Sequence, residues 1–534
     1  MSMFEKDVVI NKAVTLFNAG LLKKSLKETL SAKKKYPDEP FIYNLLGVLY
    51  SQIGSFEDSI KNYSKAIKLD PKYFEAYNNM GVAYTNWKKI DKAISYFDRA
   101  IQISPLYAEA YNNKGNALKE KREYELAIET YEKSIHLNQN YIDALSNLAM
   151  VYDILGNFTK AQKYFNRALL LDPSNTSLLY NLANCLFNSE GYKQAIEVCK
   201  KIIKLDASFY YAYNRLGLCY IQLELEIEAK EFFEKSIKIN PNYVEGLTNY
   251  GFILQKLRNY SLASYQFEKA LKIDPNSDEA FVNLSRAYFD QGRLSKAIEV
   301  AKSGLLVKQT NIPLLKNLIA ALLFLNRFDE ASVECKKILS IENKDPNTIN
   351  LMGTILEKQG LYDQAKKHFL RALELDKNFA LAKINIATLY QLEGNIEKAN
   401  KIYADIVNEQ SDNPEILYRR SALAFKLEHF KEGWRYYEYR WKVSPQNTVI
   451  WPIQDKPLWT GERADRVVLW REQGIGDDII FLSLVPEVSQ ICSRLSVYVD
   501  PRLQELCKRA MPEINLISDE KTLKREKCDY HLPI

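Results

Sequence analysis

Histidine is scarce in this sequence, with four in 534 residues. His136, His368, His429 and His531 stand far apart, so no metal-ligand spacing exists and no metal site is predicted. Seven cysteines occur, an odd number, and none forms a CxxC pair. That excludes a zinc ribbon and a disulfide framework, and the cysteines read as reduced and mostly buried. Long apolar runs are also missing. The greasiest stretch, Leu318 to Leu325, is far short of the ~20 residues that span a bilayer. The opening residues lack a basic flank followed by an apolar stretch, so no secretory leader is expected. Together these absences predict a cytoplasmic chain with no membrane span. Nor does charge of one sign dominate. The 73 basic and 67 acidic residues leave a net charge of +6 and are mixed along the chain. A nucleic-acid surface, which would cluster Lys and Arg, is not expected.

What is present is a period. Gly47, Gly81 and Gly115 are 34 residues apart, and the same step reaches Ala149, Ala183, Gly217, Gly251 and Gly353. Counted as position 8 of a unit, this residue defines thirteen units over residues 6–447. Other positions recur with it. Position 20 is alanine from Ala93 to Ala399, and position 24 is aromatic at Tyr63, Phe97, Tyr131, Phe165, Phe233, Phe267 and Phe369. Position 32 is proline at Pro71, Pro105, Pro173, Pro241 and Pro275. Positions 4, 7, 8 and 11 share one face of a helix, and 20, 24 and 27 share one face of a second. Small residues at 8 and 20 let the two helices approach. Proline at 32 follows the second helix, where it removes no helical hydrogen bond.

The pattern resembles the tetratricopeptide repeat. The resemblance implies a mainly α fold, an α-solenoid superhelix whose first helices line a concave side that holds a protein or peptide. Positions 5 and 6 of those helices are rich in asparagine, including Asn79, Asn113, Asn147, Asn181, Asn249, Asn283, Asn317 and Asn385. An asparagine amide both donates to and accepts from a peptide backbone. A row of them is similar to the ladder in the superhelix of protein O-GlcNAc transferases and would hold an extended segment by its main chain. The other reading is that asparagine at position 6 is a tolerated polar residue. Chaperone-binding members of the family clamp a terminal carboxylate with lysine at position 2. Here Glu75, Glu109, Asp143, Glu245, Glu279 and Glu415 occupy that position and would repel it.

Near residue 430 the composition changes. Trp434, Trp441, Trp451, Trp459 and Trp470 account for five of the six tryptophans, and a connector at 448–463 leads into a strand–helix alternation at 464–534. Strands are predicted at Val467 to Trp470, Leu495 to Val499 and Ile514 to Ile517, with another beginning at Asp529. Helices are predicted from Asp477 or Asp478 to Val488, broken at Pro486, and from Asp500-Pro501 to Ala510. Between the first strand and helix lies Arg471-Glu472-Gln473-Gly474-Ile475-Gly476-Asp477, a glycine turn that would aim backbone N–H groups at an anion. Arg471 and Glu472 face either the cleft or solvent.

Taken with Trp434 to Trp441 and Pro457 to Glu462, this turn resembles bacterial repeat proteins that end in a heptosyltransferase-like domain of the GT-B type. The resemblance implies a partial Rossmann-like α/β domain at 464–534, a phosphate loop at Gly474 and Gly476, and Asp477 as the base that activates an acceptor hydroxyl. The other role open to Asp477 is a helix N-cap. The donor-holding second domain of that family is not encoded here, so the chain as given is expected to be inactive. A nucleotide-sugar donor is implied only for a longer parent, and no cofactor is expected. Two functions follow: a glycosyltransferase that recruits its acceptor with the repeats, or a non-catalytic scaffold.

Overall fold

The computed structural model describes residues 3–409, 413–443, 456–471 and 475–533. They form two bodies, Met1–Ile341 and Glu342–Ile534. Most of each is paired helices repeating every 34 residues. Each unit has a first helix, A, and a second, B, as in Phe74–Asn86 with Ile90–Ile103 and Tyr210–Gln222 with Glu226–Ile239.

The sequence period is explained by one contact. The ring at position 24 of helix B packs against position 8 of helix A. A Cβ built on Gly47, Gly81, Gly217, Gly251 or Gly353 would stand 2.5 Å from the ring of Tyr63, Phe97, Phe233, Phe267 or Phe369 respectively. Those rings are buried, and only a very small residue at position 8 admits them. Position 20 is equally tight, with Ala93, Ala127 and Ala161 fully buried. Where serine replaces alanine its hydroxyl finds the backbone across the pair. Ser25 and Ser59 donate to the carbonyls of Ala13 and Gly47 at 2.8 and 2.7 Å.

Two turn features recur. Position 15, between helices A and B, has a positive φ in all thirteen units, as glycine in six, such as Gly54 and Gly156, and as Lys88, Arg122, Glu190, Glu224, Arg258, Asn326 and Glu428 in the others. At position 31 an Asp or Asn side chain accepts the N–H two residues on, as Asp70 does from Lys72 at 2.9 Å and Asp206 from Ser208 at 2.8 Å. That Asx turn ends helix B just before the position-32 proline.

In the body Met1–Ile341, neighbouring A helices from the second to the tenth unit approach one another, while adjacent B helices show no comparable approach among the described residues. This body therefore curves towards its A helices, and the A helices form its inner face.

The body Glu342–Ile534 holds the last three helix pairs, ending with Pro414–Lys426 and Phe430–Tyr437, and a four-stranded parallel sheet. Its strands are β1 (Ala464–Trp470), β2 (Cys492–Tyr498), β3 (Asn515–Ile517) and β4 (Tyr530–Pro533), in the order β3-β2-β1-β4. β1 and β2 begin three residues earlier than the apolar pattern predicts, because Asp465, Arg466, Ser493 and Arg494 near their starts are exposed and polar. The first helix runs from Ile475 to Leu482, and Pro486 opens a separate one at Val485–Ser489. Asp500-Pro501 does not start the next helix, which begins at Gln504. Asp500 instead pairs with arginines described below.

The connector is tied to the sheet through His531, which is fully buried. Trp470 Nε1 donates to His531 Nδ1 at 3.0 Å, and His531 Nε2 donates to the Lys456 carbonyl at 3.0 Å. Trp459 donates its backbone N–H to the His531 carbonyl and its indole N–H to the Glu462 carbonyl, both at 2.8 Å. Trp434 meets Phe425 edge-on at 4.9 Å and Phe481 at 6.5 Å, so the last helix pair touches the helix after β1. Trp451 lies outside the described residues.

Candidate functional site

The asparagines of the inner face form a bonded system. Position 5 is buried at Asn44, Asn78, Asn112, Asn214 and Asn350, whereas position 6 is half-buried at every predicted site residue from Asn79 to Asn385. Five position-6 amides reach back to an asparagine at position 5 of the preceding unit. Asn79 donates to Asn44 at 3.1 Å, Asn113 to Asn78 at 3.0 Å, Asn147 to Asn112 at 3.0 Å, Asn249 to Asn214 at 3.0 Å and Asn385 to Asn350 at 2.9 Å. Asn317 donates to the Val282 carbonyl at 2.9 Å. Asn283 holds the same half-buried position in the ninth unit. The row is thus a set of inter-unit bonds as well as a polar surface.

The acidic position 2 is drawn into the same system. Asn78 donates to Glu109 at 3.2 Å, and the Tyr107 hydroxyl donates to the same carboxylate at 2.9 Å. Asn214, Tyr243 and Glu245 repeat this at 3.0 and 2.8 Å. Burial, then the adjacent glutamate, pushes the Tyr107 and Tyr243 hydroxyls well above the usual phenol range. Both therefore stay protonated and act as donors.

The sixth and seventh units break the pattern. Among the described residues the Asn181 amide meets only the Met150 sulfur, at 4.0 Å. The next step of 34 residues brings arginine, Arg215, instead of asparagine. Position 2 is Ser177 and Tyr211 there, interrupting the acidic row. The rings of Tyr180, Phe209, Tyr211 and Tyr243 cluster nearby, with neighbouring centroids 5.2–5.8 Å apart. The 34-residue register between Asn181 and Asn249 marks Arg215 in the sequence, though composition alone hides it.

In the sheet-bearing segment, Gly474 lies outside the described residues. Gly476 and Asp477 fall in the first turn of the helix Ile475–Leu482, so Asp477 is inside that helix rather than its cap. The helix start follows the carboxyl end of β1, where open parallel sheets hold their ligands. Arg471, whose side chain is 24% exposed, is held by carboxylates. It pairs with Asp478 at 3.1 Å and Asp500 at 2.8 Å, and Arg502 also grips Asp500 at 2.9 Å. Both aspartates are nearly fully buried. Hydrogen bonds from Arg502, reinforced by Arg471, hold the Asp500 carboxyl far below the ordinary carboxylate range. Sequence reasoning missed this network, because its members are 2 to 31 residues apart and follow no period. A cleft of about 690 Å³ lined by Arg463, Asp465, Ser493 and Asp529 lies at the opposite, amino-terminal ends of β1 and β2. No group of three or more His, Cys, Asp or Glu able to hold a metal occurs among the described residues, and no helix among them is long and apolar enough to cross a membrane.

These features define a helical-repeat binding protein, and comparison with known proteins gives the family. Models described as "Tetratricopeptide repeat" match residues 74–106, 108–141, 142–175, 176–209, 210–243, 232–263, 256–322 and 356–423, and one described as "TPR repeat" matches 47–86. Together they span more than half of the chain, which belongs to the tetratricopeptide-repeat family, whose members bind peptides or proteins. Protein FlbA of Caulobacter vibrioides is 28% identical over 209 residues, which is 38% of this chain and 35% of FlbA. TPR repeat-containing protein YpiA of Bacillus subtilis is 26% identical over 152 residues, 28% of this chain and 36% of YpiA. The chain spans about a third of the length of these curated relatives. Among solved structures, YrrB, a TPR protein with an unusual peptide-binding site, is 24% identical with a TM-score of 0.30, covering 35% of this chain and 95% of that one. The pilF protein of Pseudomonas aeruginosa is 20% identical with a TM-score of 0.34, covering 39% and 95%.

Proposed function

We propose that the A-helix face binds an extended segment of another protein and grips it mainly by its main chain. The observation that supports this is the half-buried asparagine at position 6. Asn79, Asn113, Asn147 and Asn249 each spend one donor on the preceding unit. An amide has two N–H donors and a carbonyl acceptor, so a donor and an acceptor remain for a peptide group. The inter-unit bond fixes the amide before the ligand arrives, which lowers the ordering cost of binding. The test is retention of a fluorescent degenerate peptide library by the immobilised chain. Replacing Asn113, Asn147 and Asn181 together with alanine should cut retention at least about tenfold, the worth of one or two hydrogen bonds. Undiminished retention, with helicity intact by circular dichroism, would sink the reading.

A second reading is favoured by the sheet. Its parallel order β3-β2-β1-β4 is that of the opening half of a doubly wound nucleotide-binding fold. We infer that 464–534 belongs to the amino-terminal Rossmann-like domain of a GT-B glycosyltransferase, with Gly474 and Gly476 shaping the turn and Asp477 as the base. The repeats would then deliver the acceptor to a nucleotide-sugar donor. The competing account is a non-catalytic scaffold. Sequencing the gene beyond the codon for Ile534 decides between them. A further 200 to 300 residues or so of strand–helix alternation, about two domains' worth, supports the transferase, and an immediate stop supports the scaffold.

A further inference from the structure

From the third to the tenth unit, position 6 of the inner face is asparagine at every step except Arg215. In the row Asn147, Asn181, Arg215, Asn249, only Arg215 is charged. We propose that Arg215 reads the carboxylate of an aspartate or glutamate side chain within the bound segment. The proposal rests on the peptide-binding reading above and names the chemistry of the ligand.

Three observations converge. The first is that Arg215 makes no ion pair among the described residues, although it is half-buried and its guanidinium lies 4.8 Å from the centre of the Phe187 ring. Its Nε is buried without a hydrogen-bond partner, as is the Oδ1 of Asn184 on the neighbouring A helix. Position 6 meets position 9 of the preceding unit elsewhere, as Asn385 does with Thr354 at 3.5 Å. The same register sets Arg215 beside Asn184. An unmet buried donor costs free energy that a ligand acceptor would recover.

The second observation is electrostatic. Position 2 is acidic at Glu75, Glu109 and Asp143 and again at Glu245 and Glu279, but not at Ser177 and Tyr211. The gap in the acidic row falls on the units that flank Arg215. Between Glu75 and Glu279 this is the one interruption of the acidic row, and Arg215 stands in it, where a carboxylate meets attraction in place of a position-2 acid. The nearby Asp153 is already engaged, since Asn188 donates to it at 3.1 and 3.3 Å. Burial raises its carboxyl, with Asn188 and Arg215 among the groups opposing that.

The third is position along the face. Asparagine rungs continue on both sides of Arg215, from Asn79 to Asn181 and from Asn249 to Asn317. A segment held by those rungs runs through the site, so the carboxylate is a side chain and not a chain end.

The test uses the full chain and two fluorescent libraries of about twelve residues, some 40 Å when extended. Both have amidated C-termini and degenerate flanks, one with a central Glu and the other with a central Gln. The wild-type chain should retain the Glu library about tenfold better, as one charge-assisted contact warrants. In Arg215→Asn, which restores the rung residue of the neighbouring units, that ratio should fall to about one while retention of the Gln library holds. Equal retention of both libraries by the wild type overturns the carboxylate reading alone, as does a Glu preference that survives in Arg215→Asn. A preference that appears only with free C-termini also overturns it. Failure to retain either library overturns the peptide-binding reading and this one with it.

Discussion

The helix pairs and the parallel sheet are stabilised over different distances along the chain. In the repeats, the ring of Phe233 sits on Gly217, and Asn249 bonds to Asn214 one unit back. Most units thus repeat contacts that their neighbours make. In the sheet, β1 pairs with β2 at Arg466 and Arg494 and with β4 at Val467 and Tyr530, and the Trp470 indole reaches His531. Few of these contacts recur. A solenoid stores its stability unit by unit, whereas a parallel sheet exists only when distant strands have met.

Phe233→Ala should break a unit without breaking its distant neighbours. Removing a fully buried ring costs about 4 kcal/mol. Hydrogen exchange should lose protection in the sixth to eighth units and keep it in β1 and β2. Loss spread evenly over Met1–Ile341 would show that the units do not store stability separately. His531→Ala addresses the sheet. It removes the acceptor of the Trp470 indole and the tie to the Lys456 carbonyl, at about 2 kcal/mol for the groups left unpaired. Because five of the six tryptophans lie between 434 and 470, their emission reports this part of the chain. It should shift to the red while the helical circular dichroism of the repeats stays in place. A joint loss of both signals would contradict the contrast.

The same contrast explains what could be read from the sequence. Gly217, Ala229 and Phe233 announce their roles because the steric demand behind them recurs at 34-residue steps. The partner of each rung was not legible. Periodicity marks Asn79 and Asn78 alike, and only the structure shows that Asn78 is buried and serves Asn113 while Asn79 lies at the surface of the face. In the sheet, hydropathy located the buried ends of β1 and β2 but not their polar beginnings at Asp465 and Ser493. Aspartate before proline at Asp500 suggested a helix cap, but its carboxylate takes the Arg502 backbone N–H at 2.9 Å together with the Arg471 and Arg502 guanidiniums, and the helix begins only at Gln504. Charge pairing between residues tens of positions apart leaves no local trace.

The smallest expected effect concerns a feature that identity conceals and conformation repeats. Position 15 takes a positive φ in every unit, although seven units place a residue with a Cβ there. Such a residue loses about 1 kcal/mol or more to the clash between Cβ and carbonyl. Glycine escapes that clash but loses more backbone entropy on folding, by roughly 0.5 to 1 kcal/mol. Arg122, at φ 64, is exposed. Arg122→Gly should therefore stabilise the fourth unit by about 0.5 kcal/mol, seen as a small rise in thermal midpoint. Gly156→Ala, at φ 73, should lower it by about 1 kcal/mol. Because the sites are two units apart, Arg122→Gly and Glu190→Gly should add. If the arginine-to-glycine change instead destabilises, the Arg122 side chain contributes more than its strain costs, and the turn is not the interchangeable element that its geometry implies.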